Sequence, residues 1–182
     1  MRTKQAGFTL IELLVVIFLL GAFLSVAMPS VLRTDDMKLR SASRGIVTTI
    51  RYLYSKAVFE KRIYRLSFNI DTGEYWPEVI EGNQFRVESI SGDGPKELPR
   101  GVFFSDIQTE RTQRKISSGK DAFILFLPTG TVDSAVIHLR AGKDNFFTLS
   151  TNPYTGATKV FDEYIEFSDR LGDLAERQAG NL

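Results

Sequence analysis

One carboxylate, that of Glu12, lies in the apolar segment near the start of the chain, and no other charge occurs between Phe8 and Met28. An acidic side chain near the centre of a membrane helix costs about 2.5–3.5 kcal/mol, and less near the membrane interface. A plain membrane anchor gains nothing from such a residue. Glu12 therefore predicts electrostatic pairing with a partner cation.

The flanks of this segment favour a retained membrane helix over a cleaved secretory signal. The segment has about 21 residues, or roughly 31 Å of helix, which matches one hydrocarbon thickness. A secretory signal has its small cleavage-site residue after the apolar run, but here Gly7 precedes the run. Arg2 and Lys4 lie before Gly7, and the positive-inside bias places them in the cytoplasm. A single-pass anchor with an incidental Glu12 and a signal peptide are the alternatives.

The residues from Gly7 to Ile17, Gly-Phe-Thr-Leu-Ile-Glu-Leu-Leu-Val-Val-Ile, resemble the leader of type IV pilins and type II secretion pseudopilins. The match is contiguous and keeps a fixed spacing among Gly7, Phe8 and Glu12. The resemblance implies that a prepilin peptidase cuts between Gly7 and Phe8. The same enzyme, acting as an N-methyltransferase, would methylate the new amine of Phe8. Glycine suits this cleavage because no side chain blocks the approach to the peptide bond.

The resemblance also implies a partner for Glu12. The methylated amine of Phe8 stays cationic, and Phe8 and Glu12 lie one turn apart on the same helix face. Neighbouring subunits of pilus-like filaments are staggered along the axis, so the carboxylate of one subunit would pair with the amine of the next. Desolvation of both charges offsets much of this attraction. The expected benefit is that the pairing fixes the register between neighbouring subunits, because a slipped subunit would leave Glu12 unpaired.

Gly21 and Pro29 are predicted to weaken the helix. Pro29 has no N–H to donate to the carbonyl of Ser25, and Gly21 lowers the helix propensity of the preceding turn. Many pilins carry a glycine and a proline at these places, and the resemblance implies that the helix between them unwinds in a filament. The alternative is that Pro29 only marks the exit from the membrane.

The periodicity changes after the membrane segment from helical to alternating. A stripe at spacings of three and four predicts an amphipathic helix over about residues 30–60, namely Leu39, Ala42, Ile46, Ile50, Leu53 and Ala57. Alternation predicts strands at 63–70, 74–76, 85–90, 102–107, 122–127, 135–140, 146–150 and 158–161. Pro77 is expected to interrupt the second strand or place it at a sheet edge. One long helix followed by antiparallel strands predicts an α+β fold.

A second resemblance covers the C-terminal half. Phe-Leu-Pro-Thr-Gly at residues 126–130, two strands, and Thr155-Gly156 before the last strand resemble the GspH/FimT family of minor pilin-like proteins. The resemblance implies a pilin-like domain in which the long helix packs on antiparallel β-sheets. The expected organisation is a leader peptide at 1–7, a transmembrane and assembly helix at 8–29, a periplasmic α+β domain at 30–162, and a C-terminal tail at 163–182 beyond the family's last strand.

The composition argues against an enzyme. The chain has no cysteine and a single histidine, so it offers neither a thiol nucleophile nor a Cys/His zinc site. His138 lies in a predicted strand with Val136 and Arg140 and is expected at the surface or at a strand edge. The segment Ser91–Lys96 lacks the Gly-Lys-Ser/Thr ending of a phosphate-binding loop. No catalytic residue, metal or cofactor is expected.

Two functions remain. The first is a minor pseudopilin of a type II secretion system, a structural subunit expected near the pseudopilus tip that helps export folded proteins across the outer membrane. Its partners would be the prepilin peptidase, other pseudopilins and inner-membrane lipid, with the N-terminus cytoplasmic and the domain periplasmic. The alternative is a minor type IV pilin that primes pilus assembly or takes up DNA. A single-pass periplasmic enzyme or sensor is disfavoured by the leader.

Charge separates these two functions. Lysine and arginine total 23 against 22 acidic residues, and acidic residues are the more numerous from Arg140 to the C-terminus. Affinity for DNA comes chiefly from phosphate contacts made by basic side chains. Nucleic acid is therefore an unexpected partner. A basic cluster does occur at Arg111, Arg114, Lys115 and Lys120, but an exposed loop explains it equally well.

Overall fold

The structure is a computed structural model that describes residues 9–88 and 94–167, with the backbone alone for residues 24–34. One helix, α1, spans Leu10–Glu60 and ends where Lys61 adopts a left-handed backbone with a φ of 56°. The strands that follow in the described residues are β1 (Tyr64–Asn69), β2 (Glu74–Glu81), β3 (Gln84–Val87), β4 (Lys96–Glu97), β5 (Val102–Thr109), β6 (Ala122–Leu127), β7 (Thr131–Val132), β8 (Ala135–Ala141), β9 (Asn145–Thr151) and β10 (Thr158–Phe161). The chain divides into two units, Met1–Thr34 and Asp35–Leu182, and both sheets belong to the second.

The strands form two antiparallel sheets. In the first sheet the order is β3-β2-β1-β6-β7, and β4 also pairs with β2. In the second sheet the order is β10-β9-β8-β5. The predicted α+β class with antiparallel strands is therefore confirmed.

The apolar stripe of α1 lies in one core with residues of both sheets. The predicted stripe positions are all buried, and Leu39, Ile46, Ile50, Leu53 and Ala57 have no exposed surface. A period of 3.6 residues keeps such positions on one helix face, so burial of this face against the sheets accounts for the sequence pattern. The prediction that this part of the helix completes the core is confirmed.

Pro77 is tolerated inside β2 because the strands on one side of β2 leave a gap at this position. It pairs with Leu66 in the middle of β2, and β2 has partners on both sides. On the side away from β1, β3 and β4 pair with opposite ends of β2 and leave position 77 between them. The Pro77 carbonyl accepts a hydrogen bond of 2.9 Å from the Glu88 N–H. The expectation of an interrupted or edge strand is wrong, because the missing N–H of proline falls in this gap.

Candidate assembly segment and buried histidine cluster

The assembly segment begins at the start of α1. Gly7 and Phe8 lie outside the described residues, so the predicted cleavage and methylation sites have no described geometry. The Glu12 N–H donates to the Thr9 carbonyl at 3.1 Å and lies 3.3 Å from the Thr9 hydroxyl oxygen. Thr9 thereby satisfies a backbone donor at the helix start. Glu12 is in the first turn, where the helix dipole favours a negative charge.

The first part of α1 presents exposed apolar side chains. The large side chains between Leu10 and Phe23 are exposed, from 42% for Val16 to 82% for Leu10. A continuous apolar surface of this kind marks a membrane or protein contact. In the residues that the structure describes, no helix combines the length and apolarity needed to cross a membrane. The membrane span over residues 8–29 stays a prediction.

The two predicted helix-weakening residues lie within the helical backbone of α1. The helix is continuous through Gly21 and Pro29, and the side chain of Pro29 lies outside the described residues. A Cβ built on Gly21 would have no atom within 4 Å. Unwinding in a filament and an exit from the membrane at Pro29 both stay predictions.

His138 is buried, with 1% of its surface exposed, so its predicted place at the surface or at a strand edge is wrong. Alternation correctly places it opposite the core residues Ile137 and Leu139. The residues after β10 cover this second face. Tyr164 stacks on the imidazole with 3.8 Å between ring centroids, and the Ile165 carbonyl lies 2.9 Å from Nε2. The sequence pattern shows which face a residue occupies, but not which distant segment covers it.

A β-bulge brings Asp106 to this histidine. The register between β5 and β8 shifts between Phe104 and Asp106, so that Asp106 pairs with His138. Phe104 and Ile107 are both buried in the core although they are three residues apart. The extra residue in β5 permits this and turns the Asp106 side chain to the opposite face. Asp106 Oδ1 lies 2.8 Å from Nδ1 of His138.

The Asp106 carboxylate is held ionised by its neighbours. Burial alone would raise its pKa, but the hydrogen bond and charge of His138 and a hydrogen bond of 3.1 Å from the Tyr164 hydroxyl hold the pKa below its ordinary value. A histidine oriented by an aspartate resembles a catalytic pair, but the Nε2 atom that would face a nucleophile here faces the Ile165 carbonyl. The geometry suits a structural role for His138. Within the described parts of the chain, no cluster of His, Cys, Asp or Glu side chains has metal-binding geometry.

Tyr54 of α1 joins two turns that carry the second sequence resemblance. Its hydroxyl donates to the Gly130 carbonyl at 3.1 Å and contacts the Tyr154 carbonyl at 3.3 Å. The Val132 N–H donates to the Pro153 carbonyl at 3.0 Å and links the same two turns. The two short motifs, far apart in sequence, therefore meet at one helix residue.

Comparison with known proteins found matches to both the N-terminal motif and the fold. The family model of the prokaryotic N-terminal methylation motif matches residues 2–28, which include Gly7, Phe8 and Glu12. Two structures of the minor pseudopilin EpsH from the type 2 secretion system of Vibrio cholerae have a similar fold, each with a TM-score of 0.55. The fold is similar to that of this minor pseudopilin. The identities are 8% and 9%, and the similar regions cover 71% and 73% of this chain and 99% of those chains. Curated protein sequences give no significant match.

The basic cluster of this pseudopilin-like chain is partly neutralised. Arg111 donates to both carboxylate oxygens of Asp133, at 2.9 and 3.2 Å. Lys115 pairs with Glu166 at 2.7 Å, and its ammonium lies 5.1 Å from the centre of the Tyr164 ring. These contacts give the two cations structural partners in the pseudopilin fold and support the interpretation of the cluster as a structural loop.

Sequence reasoning missed the residues that organise the outer face of the second sheet. Asp106, Thr148 and Tyr164 carry no motif, and their roles depend on partners 15 to 58 residues away. One signal was present in the sequence. Phe104 and Ile107 break the two-residue alternation of their strand, which indicates a bulge and therefore a re-aimed side chain between them.

Proposed function

We propose that this chain is a minor pseudopilin, a structural subunit placed near the tip of a type II secretion pseudopilus that helps export folded proteins across the outer membrane. Residues 8–29 anchor it in the inner membrane, with the sheet-bearing domain in the periplasm. The observation that carries the proposal is the presence in one chain of the methylation motif over residues 2–28 and the pseudopilin fold. The exposed apolar surface at the start of α1 supports a role in packing against lipid and other subunits.

Assembly would begin with processing. A prepilin peptidase removes residues 1–7, and the methylated amine of Phe8 becomes the cation that pairs with Glu12 of a neighbouring subunit. The position of Glu12 in the first helical turn, four residues after Phe8 in the sequence, supports this role. Other pseudopilins are the expected partners of the apolar segment.

The alternative, a minor type IV pilin that primes pilus assembly or takes up DNA, shares the same N-terminal motif. A role in DNA uptake would need exposed basic side chains that are available to phosphate. The ion pairs of Arg111 with Asp133 and of Lys115 with Glu166 reduce the availability of two such side chains. This observation favours the secretion role over DNA uptake.

Site-directed cross-linking tests the proposal, and the absence of native cysteine makes it direct. A single cysteine at Val16, on the exposed apolar surface, is expressed in cells whose secretion pseudopilins carry cysteines at matched positions. A cysteine at the buried position Leu139 is the matched control. We expect disulfide cross-links to pseudopilins from position 16 and none from 139. Cross-links to pilus subunits instead would overturn the secretion assignment and favour the minor pilin.

A further inference from the structure

A row of polar side chains crosses the outer face of the second sheet and receives residues 162–167. Asp106, His138 and Thr148 lie opposite one another on β5, β8 and β9, and all three are buried. The Thr148 hydroxyl donates to the Glu163 carbonyl and accepts from the Ile165 N–H at 3.0 Å. Residues 162–167, named here the strap, are thus held on the sheet by side chains of the row.

The bonding of His138 depends on its charge. Nδ1 faces Asp106 Oδ1 at 2.8 Å, and Nε2 faces the Ile165 carbonyl at 2.9 Å. Both partners are acceptors, since a carbonyl and an ionised carboxylate have no proton to donate. A neutral imidazole has one N–H, whereas an imidazolium has two. Only the protonated ring can therefore make both contacts as hydrogen bonds.

Neutral His138 would oppose docking of the strap. If its single proton stayed on Nδ1 for Asp106, the lone pair of Nε2 would face the Ile165 carbonyl oxygen. If the proton moved to Nε2, a lone pair would face the buried carboxylate. The first arrangement is relieved when residue 165 moves away, because the carbonyl can then bind water. Asp106 and His138 belong to adjacent paired strands, so their own contact is the harder one to separate.

We propose that the strap is a pH-responsive element, docked on the second sheet when His138 is protonated and released when His138 is neutral. The proton occupancy of one histidine would therefore control whether residues 162–167 cover the outer face of the second sheet.

The other charged groups around His138 are consistent with this assignment. Asp106 on β5 faces Nδ1 of the imidazole. Tyr164 on the strap stacks its ring on the imidazole and donates its hydroxyl to Asp106. Lys115, after β5, pairs with Glu166 of the strap outside the stacked rings, and Arg140 lies two residues along β8, bonded to the Gly142 carbonyl. Carboxylates, lysine and tyrosine ordinarily change charge well away from neutral pH. A transition near neutral pH would therefore report on the histidine.

Hydrogen exchange measured by mass spectrometry on the full chain in detergent micelles tests the proposal. Protection of the peptide containing 162–167 is compared at pH about 5.5 and about 8, on either side of the ordinary imidazole titration. After correction for intrinsic exchange, we expect protection to fall by about tenfold at the higher pH, the loss of one charge-assisted hydrogen bond. Strand β1 is the internal control and should not change. Because His138 is the single histidine, its imidazole NMR signals can be assigned without ambiguity, and any change in them should coincide with the change in protection of the strap.

Two variants separate the histidine from the rest of the row. In His138→Gln the strap should be weakly protected at both pH values, and the pH step should vanish. In Thr148→Val the strap should be less protected at both pH values. The difference in protection between the two pH values should remain, since Thr148 does not titrate. Equal protection of the wild-type strap at both pH values would overturn the proposal, and so would a step that persists in His138→Gln. The wild-type comparison decides the matter even if a variant fails to fold.

Discussion

The ring of Tyr54 packs so closely on Gly156 that a Cβ built at position 156 would lie 2.6 Å from Cγ and Cδ2 of the tyrosine. Gly156 also has a φ of 64°, a conformation that residues with a side chain rarely adopt. The turn before β10 therefore requires glycine for two independent reasons. Since Tyr54 also bonds the Gly130 turn, one helix side chain contacts a turn of the first sheet and the turn before β10 of the second.

The first prediction separates contact from backbone strain at Gly156. Gly82 has a similar φ of 62° but no atom within 4 Å of a built Cβ, so Gly82→Ala is a matched control. We expect Gly82→Ala to lower the free energy of unfolding by about 1–2 kcal/mol through strain. Gly156→Ala should lower the free energy of unfolding by ~1–3 kcal/mol more than Gly82→Ala does, because the added Cβ overpacks against Tyr54. Urea unfolding measures both, and equal losses would show that the Tyr54 contact adds nothing.

The second prediction concerns acid stability through Glu78, a buried carboxylate on β2. It accepts hydrogen bonds from Arg65, from the Ser67 hydroxyl at 2.7 Å and from the Trp76 indole at 3.1 Å. Burial alone would raise the pKa of Glu78, but these bonds and the Arg65 charge hold it below its ordinary value of 4.5. The stabilisation is therefore present above pH 4.5 and is lost as the pH falls through the lowered pKa.

Glu78→Gln should accordingly lower the free energy of unfolding at pH 7 by about 1.5–3 kcal/mol and reduce its pH dependence below 4.5. Fluorescence of Trp76, the single tryptophan, measures unfolding close to the site. Glu81→Gln, on the same strand but with a side chain 45% exposed, is the control and should change little. An unaltered pH profile in Glu78→Gln would contradict the prediction.

The third prediction is that Gly7→Val blocks processing. A branched side chain at the scissile bond should obstruct the peptidase and leave the longer precursor in the membrane. Gel mobility and the mass of the N-terminal peptide measure the outcome. Gly21→Ala, where the added Cβ meets open space, should be processed normally. Mature protein of normal size from Gly7→Val would contradict the assignment of the leader.

The fourth prediction is that Glu12 acts in assembly and not in membrane insertion. Glu12→Ala removes a charge from lipid, so insertion should be as good or better. Cross-linking to other subunits should fall, because the amine of a neighbouring Phe8 loses its partner. Thr9→Ala is the control, since it removes the hydroxyl at the helix start but keeps the carboxylate. Undiminished cross-linking in Glu12→Ala would refute the pairing.

The fifth prediction is that the domain does not bind DNA strongly. A fragment of the unit Asp35–Leu182, first checked for cooperative melting, should bind duplex DNA with a Kd of about 10⁻⁴ M or weaker at physiological salt. Gel shifts and salt titrations measure this. Micromolar binding with a steep salt dependence, lost when Arg111, Arg114 and Lys115 are replaced together, would favour the pilus alternative.

Local periodicity in the sequence was sufficient to predict most of the helix and strand positions. The stripe from Leu39 to Ala57 is buried as predicted, and β6 and β10 have the predicted bounds. The two-residue strands β4 and β7 were missed because alternation needs several residues to be recognised. Pro77 was misplaced because the sequence does not show that two separate strands would pair around it.

The sequence by itself determined the N-terminal motif, the class of the fold and the helix face that completes the core, because each depends on residue types at short, regular spacing. Tertiary structure alone decided the burial of His138, its pairing with Asp106 and the contact of Tyr54 with Gly156. The first two depend on a bulge that re-aims one side chain and on segments 27 to 32 residues away from His138 in sequence. The third joins α1 to a turn near the end of the second sheet. Such contacts follow from how the sheets pack, and no local pattern encodes them.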